Sequence, residues 1–163
     1  MYSAGVLLYY RIGDIKHFLL GKDTKYNCWS DFGGKVEYID DNDPIQTASR
    51  EFYEETAGVI SSKCHIKHLI TTKGKQLNCT SYKKRRYYMF LVECLEISGV
   101  VFRQFEEQQS LLSIIDSTDM FRFREKKNIQ TFTMEEILSN EQMFRPVFYS
   151  SFSKNKDIIQ SAY

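Results

Sequence analysis

Apolar and polar positions along this chain switch period several times. SAGVLLYYRI (residues 3–12) is an apolar run rich in strand formers, closed by Gly13 and Asp14. KHFLLGK (16–22) follows at once, so the two predict neighbouring strands. NCWSDFGGKVE (27–37) predicts a strand entering a glycine turn. Residues 44–57 change to a helical period. At about 100° per residue, Ile45, Ala48, Phe52 and Thr56 share one side. HIKHLITT (65–72) and RRYYMFLVECLE (85–96) read as strands, the second apolar enough to be buried on both faces. IQTF (129–132) is a short strand. TMEEILSN (133–140) opens a helix, with Thr133 and Glu136 at capping-box spacing. From Arg145 onward the pattern is helical, with Pro146 in the first turn. Mixed strands and helices of this kind predict an α+β or α/β sandwich.

Composition narrows the picture. At 163 residues, without repeats or a linker, the chain is the size of one domain with its own core. The 22 basic and 21 acidic residues nearly cancel, so binding to nucleic acid or membrane would need a local patch. No apolar run is long enough to span a bilayer. The first residues lack a basic leader and a small-residue cleavage site, so no signal peptide is expected. Cys28, Cys64, Cys79 and Cys94 include no C-x-x-C pair, which fits reduced thiols and a cytoplasmic setting. Scarce proline beside abundant Lys, Ile, Asn, Tyr and Phe suggests an AT-rich genome, and a host cytoplasm if the source is a virus.

The segment 44–57 carries the candidate chemistry. Asp43 is placed to cap its N-terminus, Pro44 suits the first position, and Gln46 stands where a capping box needs it. Glu51, Glu54 and Glu55 fall within an arc of roughly 100°, away from the apolar side. Arg50 lies one turn before Glu54, within ion-pair reach. Three like charges on one face repel, and Mg²⁺ or Mn²⁺, hard ions that take oxygen ligands, would relieve that repulsion. The bland alternative is a solvated helix face.

The stretch 34–58 resembles the Nudix box, G-x5-E-x7-R-E-U-x-E-E-x-G-U, where U is a bulky aliphatic or aromatic residue. Gly34 matches the first glycine, Asp40 stands at the first acidic position, and Arg50, Glu51, Phe52, Glu54 and Glu55 match the core. The lead-in DFGGKVE is also similar, and the order of strands extends the likeness over most of the chain. Three departures stand out. Asp replaces Glu at position 40, nine residues rather than seven precede Arg50, and Ala57 occupies the usual glycine position with Gly58 next. The expected consequences are a longer loop before the helix and a helix one residue longer, capped by Gly58 in a left-handed conformation.

The resemblance implies an α/β/α sandwich with a mixed sheet that hydrolyses a nucleoside diphosphate linked to another group. It implies metal binding by Glu51, Glu54 and Glu55 with the backbone carbonyl of Gly34, and a catalytic-site Arg50 that orients a glutamate by an ion pair. The general base would be Glu125, in the loop before a late strand, or Glu54 itself. Glu106 and Glu107 compete for that role, and the bland alternative for Glu125 is a solvated loop charge.

Substrate choice has weaker signals. Lys83, Lys84, Arg85 and Arg86 stand at the entrance to a strand, with Lys73 and Lys75 in the loop before it. They are either a solvated edge or a patch for a highly phosphorylated ligand or RNA backbone. Small Nudix enzymes that act on diphosphoinositol polyphosphates are similar in carrying a basic cluster before a long apolar strand. Trp29 is either core or a platform for a base, as are Tyr82, Tyr87 and Tyr88. His65 and His68, in a strand, point to opposite faces and drop out as a metal pair. The favoured substrate is a small nucleotide-type molecule. Diphosphoinositol polyphosphate comes second and an RNA cap third. The rival class is a catalytically silent binding module, against which stand the three retained glutamates. The expected assembly is a monomer or a homodimer, with residues 6–10 as a strand able to pair across the interface.

Overall fold

The computed structural model describes residues 1–80, 85–115 and 117–162, without the side chains of Asn78 and Thr80. Seven strands form one sheet. They are β1 (Ser3–Ile12), β2 (Ile15–Asp23), β3 (Trp29–Ser30), β4 (Phe32–Lys35), β5 (Lys75–Thr80), β6 (Arg86–Glu93) and β7 (Lys126–Thr133). The main path runs β3-β2-β1-β6-β5, with β4 paired to β1 and β7 to β2. β1 and β6 are parallel and the other pairs antiparallel, so the sheet is mixed.

The period of two in the central strands separates two cores. From β1, Leu7 and Tyr9 point to one face while Ala4, Val6 and Leu8 point to the other. From β6, Met89 and Leu91 join the first set, Phe90 and Val92 the second. The first core is closed by α4 (Met134–Ser139), α5 (Pro146–Lys154) and α6 (Lys156–Ser161), which bring Ile137, Phe148, Phe152 and Ile159. The second is closed by α1 (Pro44–Glu55), α2 (Lys63–Lys73) and α3 (Gly99–Ile114), through Ala48, Phe52, Ile66, Ile70 and Phe105. The result is an α/β/α sandwich with a mixed sheet, as the sequence predicts.

Four local expectations change. HIKHLITT is helix α2, not a strand: Ser62 caps it by accepting from the His65 N–H, and Ile66 and Ile70 are buried one turn apart. His65 and His68 therefore share a side of a helix; both are exposed. α3 has no counterpart in the sequence reading. α1 ends at Glu55, and Ala57, not Gly58, takes the first left-handed position after it (φ 51°). The Ala57 N–H donates to Glu54 O at 3.0 Å and the Gly58 N–H to Tyr53 O at 2.8 Å, a Schellman closure. Finally, β1 has hydrogen-bonded neighbours on both sides, so residues 6–10 have no edge with which to pair a second copy.

The four cysteines are free thiols. No helix among the described residues is long and apolar enough to cross a membrane.

Candidate active site

The glycine turn and α1 are held together by Arg50. A 3₁₀ turn (Tyr38–Asp40) precedes the nine-residue spacing, which opens with Asp41 and Asn42, both left-handed (φ 49° and 57°). Asp43 then caps α1 by accepting from the Ile45 N–H at 2.9 Å. This loop delivers Asp40 into the interior at 0% exposure. Its carboxylate accepts from Arg50 Nε at 3.0 Å and Nη2 at 2.9 Å, from Thr47 Oγ1 at 3.0 Å and from the Glu37 N–H at 2.9 Å. Burial pushes the Asp40 carboxyl up, but the hydrogen bonds from Arg50, Glu37 and Thr47 outweigh it and hold it below its usual value. Asp40 is thus the buried anchor of Arg50.

Arg50 spends its remaining donors on the site. Nη2 donates to Lys35 O at 2.9 Å. Nη1 donates to Glu54 Oε2 at 3.0 Å and stands 3.0 Å from Glu51 Oε1. It therefore pairs with two glutamates of the same helix. The Glu51 carboxyl lies against the glycine turn. A Cβ added at Gly34 would collide with that carboxyl, so a side chain there would displace it.

Glu55 faces the sheet. Its Oε2 accepts from the Gly33 N–H at 2.8 Å, and its Oε1 is 3.5 Å from Lys126 Nζ. Lys126 has 0% exposure and donates to Asp23 at 3.2 Å and Ser30 Oγ at 2.7 Å. A bulge turns it inward. Asp23 pairs with Lys126 but Lys22 with Asn128, which leaves Lys127 as the extra residue. A Cβ at Gly21 would meet the Lys126 stem at 2.8 Å, so this glycine leaves room for it.

Glu54, 7% exposed, is also held from the outer side of the site. Its Oε1 accepts from Arg122 Nη1 at 3.0 Å, and Arg122 is also 3.8 Å from Glu37. Arg122 belongs to a 3₁₀ helix (Thr118–Arg124) that leads into Glu125. Glu125 is exposed but near the trio. Partial burial chiefly pushes its carboxyl up, with the charges of Asp23 and Glu54 adding to the effect. Glu106 and Glu107 instead lie on the exposed side of α3, where they line a surface groove with Arg103 and Leu111.

Burial pushes the Glu51 carboxyl up to about 7, against the pull of Arg50. Burial also pushes Glu55 well up, against the pull of Lys126. Burial thus disfavours charge on both carboxyls, and a cation placed among them would favour the ionised forms. Buried carboxylate oxygens beside a backbone turn are the donor set a hard divalent cation takes. As it stands, each of the three carboxylates is held in an ion pair, and no three acidic, histidine or cysteine side chains among the described residues are gathered as a ready cation cage. The donors fit Mg²⁺ or Mn²⁺ in kind, and a cation would have to displace a protein partner.

The expected substrate contacts fare differently. Lys83 and Lys84 lie outside the described residues. Arg85 and Arg86 are exposed at the start of β6. Trp29 is a correction: at 7% exposure it packs edge-on against Phe132, with Lys22 over its ring, so no face is offered to a base. Tyr87 is hydrogen-bonded to Asp31 and also turned inward. Arg122, Lys126, Asp23 and Glu37 were missed by the sequence reading. Arg122 carries no motif signal in the sequence. None existed for Lys126, because the bulge inverts its expected face.

The sequence matches no family model and no curated protein. Solved structures are more informative. A Caenorhabditis elegans Ap4A hydrolase is similar with a TM-score of 0.59 at 16% identity, over 96% of this chain and 97% of that one. The NUDIX domain of Shewanella oneidensis NrtR, in complex with ADP ribose, is similar with a TM-score of 0.56 at 12% identity, over 97% and 85%. The chain has the Nudix fold. A third similar structure is a bifunctional NMN adenylyltransferase/ADP ribose pyrophosphatase from Francisella tularensis, complexed with AMP and a Mn ion. It matches with a TM-score of 0.58 at 13% identity, over 98% of this chain and 42% of that one.

Proposed function

We propose that this protein hydrolyses a phosphoanhydride bond in a nucleoside diphosphate linked to another group, with Mg²⁺ or Mn²⁺ as cofactor. The observation that carries this reading is the burial of Glu51, Glu54 and Glu55 on one helix, with Glu51 against Gly34 and Glu55 accepting from the Gly33 N–H. The neighbours supporting a nucleotide-type substrate are named for Ap4A hydrolysis and for ADP-ribose binding or cleavage.

The cation would be held by Glu51, Glu54, Glu55 and the Gly34 carbonyl, where it would offset phosphate charge and lower the pKa of an attacking water. Arg50 positions Glu51 and Glu54 from the buried side, with Asp40 as its anchor. Lys126 positions Glu55. Glu125 stands at the mouth with its proton affinity raised, which suits a group that takes a proton from water.

The test is phosphate release from a panel, with and without each cation: dinucleoside polyphosphates, ADP-ribose, NADH, oxidised deoxynucleoside triphosphates, diphosphoinositol polyphosphate and capped RNA. Cation-dependent release from a nucleotide member supports the reading. Turnover confined to diphosphoinositol polyphosphate or capped RNA would reassign the substrate. Silence with both ions would favour a binding module.

A further inference from the structure

Glu54 is held at both oxygens, and the two holders differ. Arg50 grips Oε2 from inside. Its side chain is 5% exposed and is fixed by Asp40 and the Lys35 carbonyl, so it cannot leave without stranding a buried charge. Arg122 grips Oε1 from outside. Its side chain is 46% exposed, and its other partner, Glu37, is 44% exposed. Exposed ion pairs of this kind hold weakly. Oε1 is therefore the Glu54 oxygen that can be freed without breaking the buried network.

We propose that Arg122 is an exchangeable counter-ion. It holds Glu54 Oε1, yields that oxygen to the divalent cation, and then turns its guanidinium to a substrate phosphate. This rests on the cation reading given under Proposed function. Once a cation takes Oε1, the guanidinium keeps only the distant Glu37 as counter-charge, at the mouth where an anionic substrate enters. A planar fork of donors matches phosphate oxygens. The exchange gives each arriving charge a partner: the cation replaces the guanidinium on Glu54, and phosphate replaces Glu54 on the guanidinium. It also makes Arg122 a substrate-positioning residue that no motif spacing marks.

The experiment is manganese titration without substrate, read by the electron paramagnetic resonance of free Mn²⁺, on the wild type, Arg122→Gln and Arg122→Lys. ADP binding is then measured by calorimetry at saturating Mn²⁺. Removing the competing guanidinium is expected to tighten Mn²⁺ binding roughly threefold to fivefold in Arg122→Gln, the range set by an exposed pair. Arg122→Lys keeps the charge and so stays near the wild type for Mn²⁺. Both variants are expected to bind ADP more weakly, Gln more than Lys. Normal Mn²⁺ uptake by the wild type with equal or weaker uptake by Arg122→Gln overturns the exchange. Unchanged ADP affinity in both variants overturns the phosphate contact. No uptake by the wild type removes the cation reading, and the exchange falls with it.

Discussion

Glu54 and Glu55 are adjacent on α1 yet belong to different parts of the pocket. Glu55 forms its floor, locked to the sheet by the Gly33 N–H and by Lys126, whose remaining partners Asp23 and Ser30 are buried. Glu54 forms its rim, where one of two guanidinium partners is half in water. Both residues are buried, at 2% and 7% exposure, so burial alone does not separate them. What separates them is whether their counter-charges can leave. A charge taken out of water without its partner is costly, whereas an exposed partner can be replaced by solvent. The floor fixes the site's shape, and the rim lets the site change its charge.

This contrast can be broken most forcefully at Lys126. Lys126→Met keeps the length of the side chain but leaves Glu55 and Asp23 without their buried cation. The expected loss is about 3–5 kcal/mol of stability, read by urea denaturation. A loss below about 1 kcal/mol would show that the floor is not locked. Next come the glutamates themselves. Glu54→Gln and Glu55→Gln should keep the fold and lower turnover by on the order of 10²-fold or more. Full magnesium-dependent activity in either would remove that residue from the site.

Acid titration sharpens the same contrast at Asp40. Because its folded-state pKa is depressed, Asp40 contributes stability at neutral pH, and this contribution is lost as pH falls below about 4 through the folded value. The stability gap between wild type and Asp40→Asn, measured in urea, should therefore shrink from pH 6 to pH 3. A gap that stays constant would mean that the Asp40 charge is not what holds Arg50. The smallest effect belongs to the rim. Arg122→Gln should change stability by less than about 1 kcal/mol. A larger loss would mean that Arg122 is as much a part of the framework as Arg50.

The same difference explains what could be read from the sequence. α1 was legible because its apolar side, its Asp43 cap and its acidic arc all obey one helical period. β1 and β6 were legible because each is an apolar run rich in strand formers, with side chains in both cores. α2 was misread because Ile and Thr favour strands, while the Ile66–Ile70 spacing that marks a buried helical stripe spans only one turn. α3 buries Phe105 alone, too little for a stripe to show. At the site, the Arg50–Glu54 pairing was legible within the motif, whereas the Ala57 closure and the burial of Asp40 were not. The parts that came from elsewhere were not. Lys126 is turned inward by a bulge, and a one-residue shift reverses the face that alternation assigns. Trp29 could be read as core or as platform until its neighbours Phe132 and Lys22 were in place.

The most direct test of the central claim is a crystal structure of the protein grown with Mn²⁺, with anomalous diffraction recorded at the manganese edge. The account predicts an anomalous peak among the carboxylates of Glu51, Glu54 and Glu55, beside the Gly34 carbonyl, with Arg122 moved off Glu54. No peak there, with the three carboxylates still paired to Arg50, Arg122 and Lys126, would contradict it.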